Sequence, residues 1–394
     1  MLLFGGLSLV SLFSAACSAY TPLSDETLQK LPSSGTDFDI KTGAILAPIL
    51  RTRVSGTPGN AAVLQHFVDF FKKELPEWRL EFHNSTSTTP LSNGLEVPFR
   101  NLIATRDPPG TRPGDVGRLA MVAHYDSKIS PEGFIGAIDS AAPCAMLLHA
   151  ARSIDKALTK KWEATADSLE LDEQQGVQIL LLDGEEAFLS WTDEDSLYGA
   201  RALAADWEFT YHPAMSTFRT PLDSIDLFVL LDLLGSASPA IPSYFKTTHW
   251  AYKHMAEVEK RLRGLGMFKS SPNHPANVAK RENKKPRAEP QFLPESDKPA
   301  DRFYGGGIGD DHVPFMARGV EILHIIPSPF PKVWHEIEDD GEHLDMNTVE
   351  DWARLVTAFM AEWMDLEGHF DFPRTEQKQK REINFEEKTE FAIP

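Results

Sequence analysis

Asp183-Gly184-Glu185-Glu186 sets carboxylates side by side, where one can bind a metal while its neighbour moves protons. The plainer alternative is a solvated turn. His124 and Asp126 stand two apart, so on extended backbone they face the same way, which suits a metal or a hydrogen-bonded pair. Asp139 is either a helix-end acid or a metal ligand. Asp232 adds a further acid, and His335, beside Trp334, is either a buried structural histidine or a ligand. Asp, Glu and His are the mixed donors that zinc accepts, and three of them leave a position for substrate or water. Nucleophilic catalysis is disfavoured, because no GxSxG elbow occurs and Cys144 has no obvious activating neighbours. The glycine-rich residues 305–311 lack the GKS or GKT ending of a phosphate cradle.

Buried strands must position these groups. Residues 177–182 form an almost unbroken apolar run of strand length, the pattern of a strand covered on both faces. Residues 118–123, 225–231 and 320–326 read as further core strands, and each run is followed by an acid or a histidine. In open α/β sheets, chemistry collects past the carboxyl ends of strands. Strand–helix alternation therefore predicts one α/β domain, a central mixed, mostly parallel β-sheet flanked by helices. Residues 79–83 and 100–105 read as strands, possible antiparallel partners, around a polar Ser/Thr loop.

The spacing predicts several helices. One is capped by Asn60 and runs to about residue 75, with Val63, Leu64, Phe67, Phe70 and Phe71 as its apolar stripe. A second runs to about residue 154 with Pro143 in its first turn, a third starts at Asp195-Ser196, and a fourth covers 249–263. Asn347 and Glu350 have capping-box spacing for a last helix to residue 366. Residues 266–300, rich in Pro, Lys, Arg and Glu, read as a long surface insertion, and 374–394 as a charged tail.

The composition, 42% hydrophobic and 25% charged over 394 residues, suits a large core. A formal charge of −19 argues against a nucleic-acid or anionic-membrane surface. Residues 1–19 are uncharged and end in small residues, so they read as a secretory signal cut after Ala19, with an uncleaved anchor as the rival. Cleavage would leave Cys144 as the sole cysteine and the mature chain without an internal disulfide. Asn84-Ser85-Thr86 is a glycosylation acceptor if a eukaryote exports the chain.

HYDSK (124–128), AIDSAAPCAMLLHAAR (137–152), LLDGEEAF (181–188), WTDEDSLYGAR (191–201), LLDLLG (230–235), DDHVPF (310–315) and ILHIIPSPFPKVWH (322–335) together resemble the glutaminyl cyclases. The likeness runs in order through roughly residues 40–366. It implies a zinc aminopeptidase-like fold and the conversion of N-terminal glutamine, more slowly glutamate, of peptides or proteins to pyroglutamate. By the same resemblance one zinc sits on Asp139, Glu186 and His335, and no other cofactor is expected. Glu185 is then the general acid/base, Asp232 and Asp310 form an acidic network beside it, and Trp191, Trp334, Phe330 and Ile326 line the pocket. The reading is completed by a catalytic domain over 20–373, secretion and a monomeric state. Animal members carry a cysteine bridged to the position of Cys144, where this chain has Ala123. The alternative is a secreted two-zinc aminopeptidase, in which His124 and Asp232 hold a second metal. A catalytically dead binding module is disfavoured, because every candidate ligand and the acid/base are present.

Overall fold

A computed structural model describes residues 21–165, 175–303 and 307–372. In chain order the helices are α1 (Asp25–Lys30), α2 (Pro58–Glu74), α3 (Ala142–Thr165), α4 (Tyr198–Phe209), α5 (His249–Gly264), α6 (Pro275–Ala279), α7 (Val313–Met316) and α8 (Met346–Trp363). The strands are β1 (Arg79–Thr88), β2 (Glu96–Arg106), β3 (Gly117–His124), β4 (Gln175–Leu182), β5 (Ile225–Leu231) and β6 (Ile322–Ile325). They form one sheet in the order β1-β2-β4-β3-β5-β6. The pairs β1–β2 and β2–β4 are antiparallel, whereas β4–β3, β3–β5 and β5–β6 are parallel.

The period of two along each central strand explains the layers. Leu119, Met121 and Ala123 of β3, with Leu227, Val229 and Leu231 of β5, join the core beneath α2, α3, α5 and α8. Ala120, Val122, Phe228 and Leu230 point the other way and pack with Leu203 of α4 and Phe315 of α7. Both faces are thus covered, so these strands carry almost no polar residues.

The structure revises several local expectations. Residues 84–88 are strand rather than loop, because β1 is an edge strand whose alternating Ser and Thr face solvent. Thr57, not Asn60, caps α2, and Asn60 is drawn inward to donate to Asp183 at 2.8 Å. Asp345, not Asn347, caps α8, while Glu350 pairs with Lys269. Asp195 does not start α4. It accepts three backbone N–H groups, from Phe188, Leu189 and Ser190, and so ties down the loop carrying Trp191. The 266–300 segment is anchored rather than loose. Phe268, Phe292 and Leu293 are buried, and Phe292 stacks on Trp352 with ring centroids 5.0 Å apart. The expected signal segment, 1–19, and the charged tail, 374–394, lie outside the described residues. No described helix is long and apolar enough to cross a membrane.

Cys144 is free and buried, and its thiol donates to the His124 carbonyl at 3.1 Å, in place of a bridge to residue 123. Burial pushes that thiol up to about 12. A thiol alkylating reagent at neutral pH is therefore expected to leave Cys144 unmodified in the native protein and label it on denaturation, as followed by intact mass.

Candidate active site

The carboxyl ends of β3, β4, β5 and β6 deliver the chemical groups to one edge of the sheet. β3 ends in His124, followed by Asp126, and β4 runs into Glu185 and Glu186. Asp232 follows β5, and the loop after β6 carries Ile326, Phe330, Trp334 and His335. The sharp exit from β4 depends on Gly184, which has a φ of +77° and whose added Cβ would lie 2.3 Å from the Phe99 ring. Asp126 then fixes the turn, its two carboxylate oxygens accepting the backbone N–H groups of Glu185 and Glu186 at 3.1 and 3.2 Å.

Asp139 sits in the turn before α3 with non-helical backbone, so it is not a helix-capping acid. Its carboxylate lies 3.0 Å from His124 Nε2 and 3.5 Å from His335 Nε2. His335 Nε2 is also 3.6 Å from Glu186 Oε2. Tetrahedral zinc with bonds of about 2.0–2.2 Å holds its ligand atoms roughly 3.3–3.6 Å apart, so these spacings suit it. Both Glu186 carboxylate oxygens are buried without a hydrogen-bond partner among the described residues. The Lys128 ammonium stands 3.7 Å from Glu186 Oε2, beyond hydrogen-bond reach, so this desolvated carboxylate still calls for a closer cation. Asp139, Glu186 and His335 therefore fit a zinc ion, and His335 is a ligand candidate rather than a structural core histidine.

A second cluster shares Asp139 and adds His124 and Asp232. Here His124 Nε2 already meets Asp139 at 3.0 Å, while His124 Nδ1 has no hydrogen-bond partner among the described residues. His124 reaches Asp126 at 3.4 Å and Asp232 at 3.4 Å, and Asp232 accepts from the Ser140 hydroxyl and from Leu233 N–H. Burial alone would lower the His124 pKa, but Asp126, Asp139 and Asp232 hold it well above the usual range.

A cleft of about 440 Å³ opens onto these groups, lined in part by Asp139, Glu185, Trp191, Ile326, Phe330 and Trp334. Asp232 and His335 also line it, with Lys128, Leu189, Ile308 and Gly309, which sequence reasoning had not assigned. Trp191 and Trp334 are 44% and 39% exposed and line the cleft. Trp334 stacks on His335 with centroids 3.9 Å apart, and Phe134 meets the same imidazole edge-on, so the ring is clamped. Burial, reinforced by the charges of Glu186, Asp310 and Asp311, holds the Glu185 carboxyl well above its usual range. Asp310 is not among the lining residues of the cleft. It is buried behind it, accepting from Asp311 N–H and paired with His324 at 2.6 Å.

The family model for peptidase family M28 matches residues 101–360. Glutaminyl-peptide cyclotransferase of Bos taurus is 35% identical, the alignment covering 82% of this chain and 81% of that protein. The chain belongs to peptidase family M28, in its glutaminyl-peptide cyclotransferase group. The crystal structure of Macrostomum lignano glutaminyl cyclase superposes with a TM-score of 0.69 at 30% identity, covering 89% of this chain and 96% of that one. A Zn-dependent exopeptidase from Parabacteroides distasonis shares the fold, with a TM-score of 0.54 at 18% identity, over 83% of this chain and 98% of that one. The mixed α/β sheet is thus the scaffold of this M28 chain and of an exopeptidase alike.

Arg53 carries no sequence signal, yet it organises this edge. It is fully buried, donating to the carbonyls of Tyr125 at 2.6 Å, Gly136 at 2.9 Å and Asp139 at 3.3 Å, and to that of Ile135. It thereby pins the Asp139 turn to the end of β3. Arg53→Leu would strand these carbonyls, at about 1–3 kcal/mol for each buried group left unpaired. A stability loss of about 3 kcal/mol or more is expected from urea unfolding, together with weaker zinc retention.

Proposed function

We propose that this cyclotransferase closes N-terminal glutamine of peptides, and more slowly glutamate, to pyroglutamate, using the groups of the β3–β6 edge. The observation that carries the site assignment is the pairing of Glu186, buried without a hydrogen-bond partner among the described residues, with Glu185, which faces the cleft beside it. Asp139, Glu186 and His335 would hold one zinc ion per chain. When bound, zinc supplies Lewis-acid polarisation of the glutamine γ-carbonyl and charge stabilisation as that oxygen becomes anionic.

The remaining work falls to side chains. Trp191 and Trp334, which both line the cleft, offer apolar ring surface against which the short glutamine side chain folds back toward its own α-amine. Glu185 takes a proton from the α-ammonium or attacking amine. As the new N–C bond forms and the amide C–N bond breaks, it gives a proton to the departing ammonia. A carboxyl whose pKa is raised by burial can both accept and release a proton near neutral pH. Asp232, held by Ser140 and His124, lies on the cleft wall and keeps that side acidic. Asp310 and His324 support it from behind. The enzyme is read as a secreted monomer, its catalytic domain spanning 20–373.

The decisive experiment mixes the purified protein with a Gln-initiated peptide and follows mass. Cyclisation with loss of ammonia lowers the peptide mass by about 17 Da and releases no amino acid. Release of free N-terminal residues, with Gln peptides left uncyclised, would reject the reading in favour of an aminopeptidase. Trp334→Ala, assayed with its zinc site saturated because this ring also clamps His335, is expected to raise KM for Gln peptides several-fold, more than it lowers kcat, since it removes a binding wall rather than a proton carrier.

A further inference from the structure

A second cavity of about 830 Å³ lies between α2 and the β1–β2 hairpin and shares no lining residue with the active-site cleft. Its walls include Leu64 and Val68 of α2 and Phe82, Asn84 and Thr86 of β1. The strand period of two puts Phe82, Asn84 and Thr86 on one face, aimed into the same groove. Asn84-Ser85-Thr86 is an acceptor sequence for N-linked sugar, with no proline at the middle position. Asn84 is exposed, and Phe82, two residues before it, is 49% exposed, a large apolar ring at the surface. Sugar rings present apolar C–H faces that suit such an aromatic platform, as aromatic side chains combine large apolar area with defined faces.

We propose that Asn84 is N-glycosylated during export and that the first sugars lie over Phe82 in this groove. The inference depends on the export reading and not on the catalytic one. In the transfer, Asn84 Nδ2 attacks the anomeric carbon of a lipid-pyrophosphate-linked oligosaccharide in the secretory lumen. The new C–N bond replaces the C–O bond to pyrophosphate, the lipid pyrophosphate leaves with the electron pair, and the amide gives up one proton. The glycan also has a structural consequence. β1 is an edge strand whose outer backbone groups invite pairing with another chain, and a bulky hydrophilic adduct blocks that edge.

The test is to express the full chain in a eukaryotic secretory host and collect it from the medium. Peptide N-glycosidase treatment should shift the mass of the intact protein and convert Asn84 to Asp, a gain of about 1 Da in the peptide containing it. Asn84→Gln and Thr86→Ala should each abolish the shift while Gln-peptide cyclisation stays at the wild-type rate. Removing the glycan should lower the melting temperature of the wild type by about 2 °C but leave Phe82→Ala unchanged. Exported protein with unmodified Asn84, or a chain retained in the cytosol, overturns the modification. An equal loss of melting temperature in wild type and Phe82→Ala overturns the seating on Phe82.

Discussion

Glu185→Gln is expected to keep its zinc and its fold while kcat on a Gln-initiated peptide falls by roughly 10²–10⁴, the range for losing a positioned general acid/base. The substitution preserves volume and one hydrogen-bonding oxygen, and the backbone N–H of residue 185 still donates to Asp126. The three candidate ligands, Asp139, Glu186 and His335, are untouched. What disappears is a carboxyl that burial and neighbouring acids hold at a raised pKa. An amide cannot take the amine proton or return one to ammonia. KM should change little, because Trp191 and Trp334 form the binding walls. The measurements are elemental zinc, thermal unfolding and steady-state cyclisation on one preparation. A kcat within tenfold of wild type, with zinc retained, would remove Glu185 from the proton-transfer role.

The legible part of this molecule is the part governed by simple periodicity. The apolar runs of β3, β4 and β5 had to be buried on both faces, so the sheet edge beyond them and its acids followed from sequence. Cap positions were less legible. Asn60 and Asn347 have capping chemistry, but Thr57 and Asp345 sit where the chain enters the helix. The outcome depends on backbone geometry that residue type alone leaves open. The 266–300 segment hid its anchors because Phe268 and Phe292 are 24 positions apart with polar residues between. No window of helical or strand period captures two such distant plugs. Arg53 was invisible for a related reason. Its partners are backbone carbonyls, which have no letter in the sequence.

Dialysed protein should contain about one zinc per chain, and His335→Ala should lose most of it along with cyclase activity. The imidazole reaches Asp139 and Glu186 from a loop, held in place by stacking on Trp334 and by the edge of Phe134. Deleting it leaves two carboxylates, a poor tetrahedral set, around a site that remains desolvated. The same experiment decides between the two chemistries this scaffold hosts. A cocatalytic second zinc would need His124 and Asp232, and both are within reach of Asp139. Yet His124 already meets Asp139 at 3.0 Å and lies 3.4 Å from both Asp126 and Asp232, and Asp232 already accepts from Ser140 and Leu233. A second metal would have to break the His124–Asp139 contact and compete with those donors. Added zinc should therefore not raise activity above that of the singly loaded enzyme. Two tightly held ions, both required for turnover, would instead mean that Glu185 activates a water and that the chain cleaves peptides.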